Sequence, residues 1–326
     1  MNHAMMIDRR TAILAGTALL AGCGTAASTP LIRASLVGKG EADTRMLLQS
    51  AGLRPQGYRV DYSEFSSGQL VIEAMNGGSI DYGGMSEIPP VFAAASASQS
   101  FRQIAVAHGD VNNQVVLVPR GSKIDALAGL RGKRVGYVRA TTSQYFLIRM
   151  LQSVGLTWAD ITPVALGVSD GAAAFARGSL DAWAIYGFPI ERAIANDGAR
   201  ILKTALGFLS GNYIVAAHVD ALADPARSKA IGDYLRLTRR AYAWGAAHSD
   251  AWARIVAKSV GVPLPFVQDQ FQRRSATYEL RPVTPAAIAS QQAVADLFAA
   301  QKLLPRRVDV APLWDARFNP ILEEKA

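Results

Sequence analysis

Residues 58–65, Tyr58-Arg59-Val60-Asp61-Tyr62-Ser63-Glu64-Phe65, alternate in polarity with the period of a half-buried strand. Residues 69–75, Gln69-Leu70-Val71-Ile72-Glu73-Ala74-Met75, then place apolar side chains at helical spacing. Ser79–Tyr82 reads as another short strand and Pro90–Ala97 as another helix. Neighbouring parallel strands need a crossover, usually helical, so this alternation predicts an α/β fold with a largely parallel sheet.

The pattern extends in both directions. Upstream, Ile32–Val37 reads as a strand leading to Gly38-Lys39-Gly40, and Arg45–Ala51 as a helix. Downstream, a second unit opens near Val115–Pro119. Leu127–Gly132 precedes a strand at Arg134–Val138, and Thr141-Thr142-Ser143 sits where a helix N-cap belongs, before Tyr145–Gly155. Ile161–Ala165, Ala182–Tyr186 and Tyr213–Ala217 read as strands, with a helix over Gly171–Gly178. Beyond Asp224 the periodicity is helical, over Ala226–His248, Ser249–Ser259, Pro265–Arg274 and Pro285–Gln301. No repeat with a period of about 20–50 residues is present, which argues against a solenoid.

The chain has 326 residues, 50% hydrophobic and 18% charged, enough for a large core and two domains. The formal charge is +8, but the basic residues are scattered. The pairs Arg239-Arg240, Arg273-Arg274 and Arg306-Arg307 lie far apart, and no nucleic-acid-binding motif occurs, so no nucleic acid partner is expected. Cys23 is the sole cysteine, and His3, His108, His218 and His248 do not fall at metal-ligand spacing. No phosphate-binding loop, dinucleotide fingerprint or Ser-His-Asp order is found, and no metal or cofactor is expected.

Residues 11–22 form a short apolar run after Arg9-Arg10. A mature transmembrane helix needs about 20 apolar residues, so the run reads as a signal peptide over residues 1–22. It ends Leu20-Ala21-Gly22-Cys23, which resembles a bacterial lipoprotein lipobox. That resemblance implies a cut before Cys23, a lipid on its thiol and a membrane-anchored periplasmic protein. An ordinary Ala-x-Ala-type cut leaving a soluble protein is the alternative. Arg9-Arg10-Thr11-Ala12-Ile13-Leu14 also resembles a twin-arginine signal, so export is by that route or the general secretory one. Residues 23–30 read as a lipidated, flexible tether.

Five motifs in order carry a family likeness. They are Glu64-Phe65-Ser66-Ser67-Gly68, Glu73 to Gly83, Met85-Ser86-Glu87-Ile88-Pro89-Pro90, Leu130-Arg131-Gly132-Lys133-Arg134-Val135-Gly136 and Gly178-Ser179-Leu180-Asp181-Ala182-Trp183. The series resembles the periplasmic solute-binding proteins of ABC importers, in the aliphatic-sulfonate, taurine and nitrate group. The wider superfamily includes thiamine-precursor binders. The resemblance implies an α/β, two-lobed periplasmic-binding-protein fold (type II), each lobe a mixed sheet flanked by helices, with ligand between the lobes. Lobe one would combine residues 31–118 and 212–326, and lobe two would span 119–211. Hinges would lie at Val118-Pro119 and Gly211-Asn212. It also implies no enzymatic activity, a monomer, and the importer's permease subunits as partners.

Ligands of α/β sheets bind at the carboxyl ends of strands. Four loops qualify: Gly38-Lys39-Gly40, Glu64 with Ser66-Ser67-Gly68, Met85-Ser86-Glu87, and Ala140 to Ser143. Thr141, Thr142 and Ser143 at a helix start suit an anion such as a sulfonate, and equally suit plain N-capping. Trp183 and Tyr186 are aromatic candidates for the ligand's organic tail, with core packing as the alternative. Asn212 and Tyr213 lie where the second hinge is expected. Glu87 would repel a bare anion unless a cation such as Lys39 compensates, which favours an organic ligand over nitrate. Many relatives carry an acid before the proline that is Pro189 here. Tyr186-Gly187-Phe188-Pro189 lacks it, which argues against a taurine-like ligand. The expected ligand is a small organic anion, foremost an aliphatic sulfonate or related sulfur compound. A nitrate-, taurine- or thiamine-precursor-like ligand, a sensory lipoprotein and a pyrimidine-precursor synthase-like enzyme remain as alternatives.

Overall fold

Ile32, Ala34 and Leu36 turn inward along the first strand, as a period-two pattern requires. The computed structural model describes residues 29–38, 43–96 and 99–324. The signal peptide, Cys23 and most of the tether lie outside them, as does Lys39. Eleven strands occur among the described residues. They are β1 (Leu31–Val37), β2 (Arg59–Phe65), β3 (Tyr82–Ser86), β4 (Phe101–His108), β5 (Gln114–Val118), β6 (Arg134–Tyr137), β7 (Thr162–Ala165), β8 (Ala182–Tyr186), β9 (Arg200–Thr204), β10 (Asn212–His218) and β11 (Glu279–Arg281).

They form a six-stranded sheet, β11-β4-β10-β3-β1-β2, and a five-stranded sheet, β7-β6-β8-β5-β9. Both repeat one plan. A first strand (β1, β6) lies between a second (β2, β7) and a third (β3, β8), all parallel. An antiparallel strand then joins the third: β10 in one sheet, β5 in the other. Each of these arrives from the opposite sheet, so both sheets are mixed rather than largely parallel. Helices cover both faces. In the smaller sheet, Val116 and Val118 face one core and Val115 and Leu117 the other, which explains an unbroken apolar strand.

The motif Gly-Ser-(Ile or Leu)-Asp occurs in both halves with one role. Asp81 accepts hydrogen bonds from Arg33 N (2.9 Å), Nε (2.9 Å) and Nη2 (2.6 Å), while Gly78 O accepts from Arg33 Nη1 (2.7 Å). Asp181 accepts from Arg134 N (2.8 Å), Nε (3.2 Å) and Nη2 (3.2 Å), and Gly178 O accepts from the same guanidinium (3.1 Å). Each aspartate thus ties the turn before the third strand to the start of the first. This displaces β3 from the expected Ser79–Tyr82 to Tyr82–Ser86. Gly83 and Gly84 look like a turn but lie in the strand: a Cβ on Gly83 would sit 2.5 Å from Ser35 Oγ and 2.8 Å from Val71 Cγ1. β4, β9, β11 and the helix Pro189–Asp197 were not anticipated.

The chain passes between the sheets twice, at residues 109–113 and 205–211. The first passage precedes the expected Val118-Pro119, because residues 114–118 are strand β5 of the second sheet. The second ends at the expected Gly211-Asn212. The two passages touch, with Gly109 N donating to Gly211 O at 3.0 Å.

Candidate binding cleft

A cleft of about 590 Å³ is lined by residues from both sheets and their helices. Its walls include the carboxyl ends of β1, β2, β3 and β8 (Val37, Ser66, Ser86, Tyr186) and the turn after β6 (Thr141). Four helices of nine to twelve residues present their first residue to it: Gly68, Thr142, Val168 and Pro189. The N–H groups of a helix's first turn have no intrahelical acceptor, and the aligned peptide dipoles make that end positive. Several such ends at one cleft favour an anion.

The Thr141 turn is built to hold its place. Thr141 Oγ1 donates to Val138 O (2.8 Å) and accepts from Ser143 N (3.3 Å). Ser143 Oγ accepts from Val138 N at 2.9 Å. Ala140 carries a left-handed φ of 56°, held by its N–H donating to Gln144 Oε1 at 2.8 Å. A non-glycine residue there costs about 1–2 kcal/mol, which the turn's hydrogen bonds offset. Burial pushes the Tyr186 hydroxyl up to about 12, partly offset by a hydrogen bond with Thr141, so it stays protonated at neutral pH.

Among the described lining residues only Glu191 and Arg192 are charged. Glu191 is 3% exposed at the third position of the helix Pro189–Asp197. Burial pushes its carboxyl up to about 7, against its own backbone N–H and the Arg273 charge, which favour ionisation. Arg273 Nη2 is 4.0 Å away and lies 2.6 Å from Asp269. Arg192 donates to Val260 O. Tyr82, Tyr213, Tyr242, Tyr278 and Phe188 supply apolar walls.

Of the residues expected at the site, Gly38, Ser66, Gly68, Met85, Ser86, Thr141, Thr142, Tyr186 and Tyr213 line the cleft. Lys39 is outside the described residues, and the other six lie elsewhere. Glu64 pairs with Arg45 at 3.0 Å on the surface, and Ser67 caps the helix behind Gly68. Ser143 is taken up by the turn just described. Glu87, 3% exposed, accepts from Ser210 Oγ (2.7 Å) and Ser290 Oγ (3.1 Å). Trp183, 1% exposed, packs in the core against Phe175 and the faces of Gly136 and Gly171. Asn212 Oδ1 lies 3.3 Å from His108 Nδ1. Reading the sequence alone overlooked Glu191, Gln114, Gln270, Tyr242 and Tyr278. A local signal existed for Glu191: a proline followed by an acid two residues later marks a helix's first turn.

Residues 53–251 match the NMT1/THI5-like family. The chain belongs to that family. One relative, from Escherichia coli (strain K12) and named for binding aliphatic sulfonates, is 32% identical over 253 residues, covering 77% of this chain and 78% of that protein. The alkanesulfonate-binding protein SsuA from Xanthomonas axonopodis pv. citri, solved bound to MOPS, superposes with a TM-score of 0.77 at 29% identity. It covers 87% of this chain and 98% of that one. The periplasmic aliphatic sulphonate binding protein SsuA from Escherichia coli gives 0.77 at 28% identity, over 88% and 98%. The NMT1/THI5-like chain therefore has the two-sheet fold of periplasmic binding proteins. The desulfurization enzyme DszB shares that fold at 16% identity (TM-score 0.63, 89% and 98% covered), so fold alone does not separate capture from catalysis.

Proposed function

We propose that this chain is the extracytoplasmic solute-binding component of an ABC importer, capturing an organic sulfonate without chemically changing it. The observation that carries the reading is the convergence of four helix N-termini, with the Thr142, Ser66 and Ser86 hydroxyls, on one cleft. A sulfonate has three acceptor oxygens and no donor, which suits such a surface. The similarity to proteins named for binding aliphatic sulfonates supports it.

Magnitudes are compatible. Micromolar affinity needs about 8 kcal/mol. Each helix end contributes roughly 0.3–2 kcal/mol. The remainder comes from hydroxyl hydrogen bonds and from burial of the ligand's tail against Tyr186, Phe188 and Tyr213, at about 25 cal/mol per Å². The passages at 109–113 and 205–211 serve as the hinge about which two lobes, one per sheet, close on ligand for the permease. The chain acts as a periplasmic monomer held at the membrane by lipid on Cys23.

Thermal-shift screening of the purified chain against alkyl and aryl sulfonates, sulfate, nitrate and thiamine precursors tests the ligand class. A sulfonate at a hundredfold excess over its Kd should add about 2.7 kcal/mol of stability. No shift with any sulfonate would remove the assignment. Cys23→Ala should release the protein from membranes without changing sulfonate affinity; continued membrane association would remove the lipid anchor.

A further inference from the structure

The described lining of the cleft includes four glycines, Gly38, Gly68, Gly84 and Gly187. All but Gly84 have a local reason to be glycine. Gly38 and Gly187 carry left-handed φ values of 66° and 70°. A Cβ on Gly68 would sit 2.9 Å from Met85 Cβ. Gly84 has an ordinary strand backbone, and a Cβ there would meet nothing within 4 Å.

Gly84 stands in the middle of β3, an interior strand between β10 and β1. β3 pairs with β10 residue for residue, from Ser86 opposite Tyr213 to Tyr82 opposite Ala217, so no bulge in that pairing accounts for the glycine. A glycine inside a strand weakens it, and where it marks no bulge or bend it marks a place where something approaches the backbone closely.

The geometry shows what could approach. Side chains alternate along a strand, so Tyr82, Gly84 and Ser86 share one face. Tyr82 is 4% exposed, its ring edge-on to Tyr234 of the helix Pro225–Ala247 at 5.1 Å. Gly84, on the same face, is exposed. Val215 stands opposite it on β10 and lines the cleft together with Leu280 of β11 and Thr238 and Tyr242 of that helix. The cleft therefore does not stop at the strand ends. It continues from Ser86 along the sheet face, beneath the helix, as a largely apolar bay. Ser86 lies roughly 7 Å from Gly84 along the strand, so a sulfonate held at Ser86 can lay its organic tail over Gly84. Resting on the sulfonate reading above, we propose that Gly84 is a specificity-determining residue: its missing side chain keeps the bay open and sets how long a ligand tail the cleft accepts.

The test is calorimetric titration of the purified chain, Gly84→Ala and Gly84→Leu with ethanesulfonate and with 1-octanesulfonate. The unmodified chain should bind both. Gly84→Leu should weaken octanesulfonate at least about tenfold more than ethanesulfonate, the scale of a surplus methylene in an apolar pocket. Gly84→Ala should move the ratio the same way by less. Its melting temperature should be held or raised, because alanine at a compatible backbone position chiefly reduces the freedom of the unfolded chain. The added methyl meets no protein atom within 4 Å, so this variant keeps the test readable if the leucine variant does not fold. Equal losses for the two ligands, or no loss for either, would overturn the proposal while leaving the sulfonate reading standing. So would an unmodified chain that binds ethanesulfonate alone. Binding of octanesulfonate alone, abolished in G84L, would support the bay. Binding of neither ligand by the unmodified chain would overturn both readings.

Discussion

Glu87 offers a prediction whose size comes from its surroundings. Its side chain is 3% exposed, sealed between Ser210 on the second passage and Ser290 on the helix Pro285–Ala300. Burial pushes the carboxyl up from an ordinary 4.5 to about 7, although the two serine hydroxyls favour its ionised form. Between those values the folded chain keeps a proton that the unfolded chain has lost. Stability from this group is therefore fully present below about pH 4.5 and lost as pH rises through 7. Each tenfold change in acidity is worth about 1.4 kcal/mol, which sets a ceiling of about 3 kcal/mol. Glu191 is raised to about 7 and titrates in the same window, so the two must be separated by mutation. Asp81 acts oppositely: burial works to raise it, but the Arg33 hydrogen bonds outweigh this and hold it below 3.8, so its stabilisation is lost in stronger acid. Urea unfolding followed by circular dichroism between pH 4.5 and 8 should show stability falling with pH. Glu87→Gln, which keeps the shape and cannot ionise, should flatten that fall by about 1–3 kcal/mol. If E87Q falls as steeply as the unmodified chain, burial does not control this carboxyl and the argument fails.

Three further outcomes follow from the geometry. Thr142→Asp places a carboxylate in a helix's first turn, which the helix tolerates, but about 4 Å from a bound sulfonate it would repel by roughly 4 kcal/mol. Titration should show sulfonate affinity falling by about 10³-fold with the melting temperature held; retained affinity would move the anion elsewhere. Gly171→Ala brings a Cβ to 2.8 Å from Trp183 Nε1, and this overpacking should cost about 1–3 kcal/mol in urea unfolding. Asp81→Ala removes a carboxylate 2% exposed that both Arg33 and Arg227 contact and should cost about 1.5–3 kcal/mol in urea unfolding, whereas Asp181→Ala, whose carboxylate is 34% exposed, should cost clearly less. Equal losses at the two aspartates would mean that burial does not set their worth.

Much of the local structure was legible because its causes are local. The strand at 59–65, the helix at 68–76 and the Thr141 cap follow from periodicity and capping chemistry within a few residues. β3 lies later than expected because Gly83 and Gly84 carry a turn signal, and only the nearness of Ser35 and Val71 shows that Gly83 packs in a strand. Trp183 and Tyr186 stand on one strand at odd spacing, so they face opposite ways; which face is core depends on helices packed later.

The candidate site divides along the same line. Gly38, Ser66, Met85 and Thr141 lie at strand ends, a place that alternation alone can find. Gln114, Gln270 and Glu191 line one cleft although they are far apart in sequence; the Leu264–Gln272 helix returns to the first passage, with Gln270 and Asp110 separated by 160 positions. Sequence by itself determined the α/β alternation, the family resemblance and the expectation of an anion at a helix start, since each rests on neighbours in the chain. Only the tertiary structure decided that Glu87 is buried against Ser210 and Ser290, and that Glu191 lines the cleft. Burial and long-range hydrogen bonding are properties of the packed chain, and no local pattern encodes them.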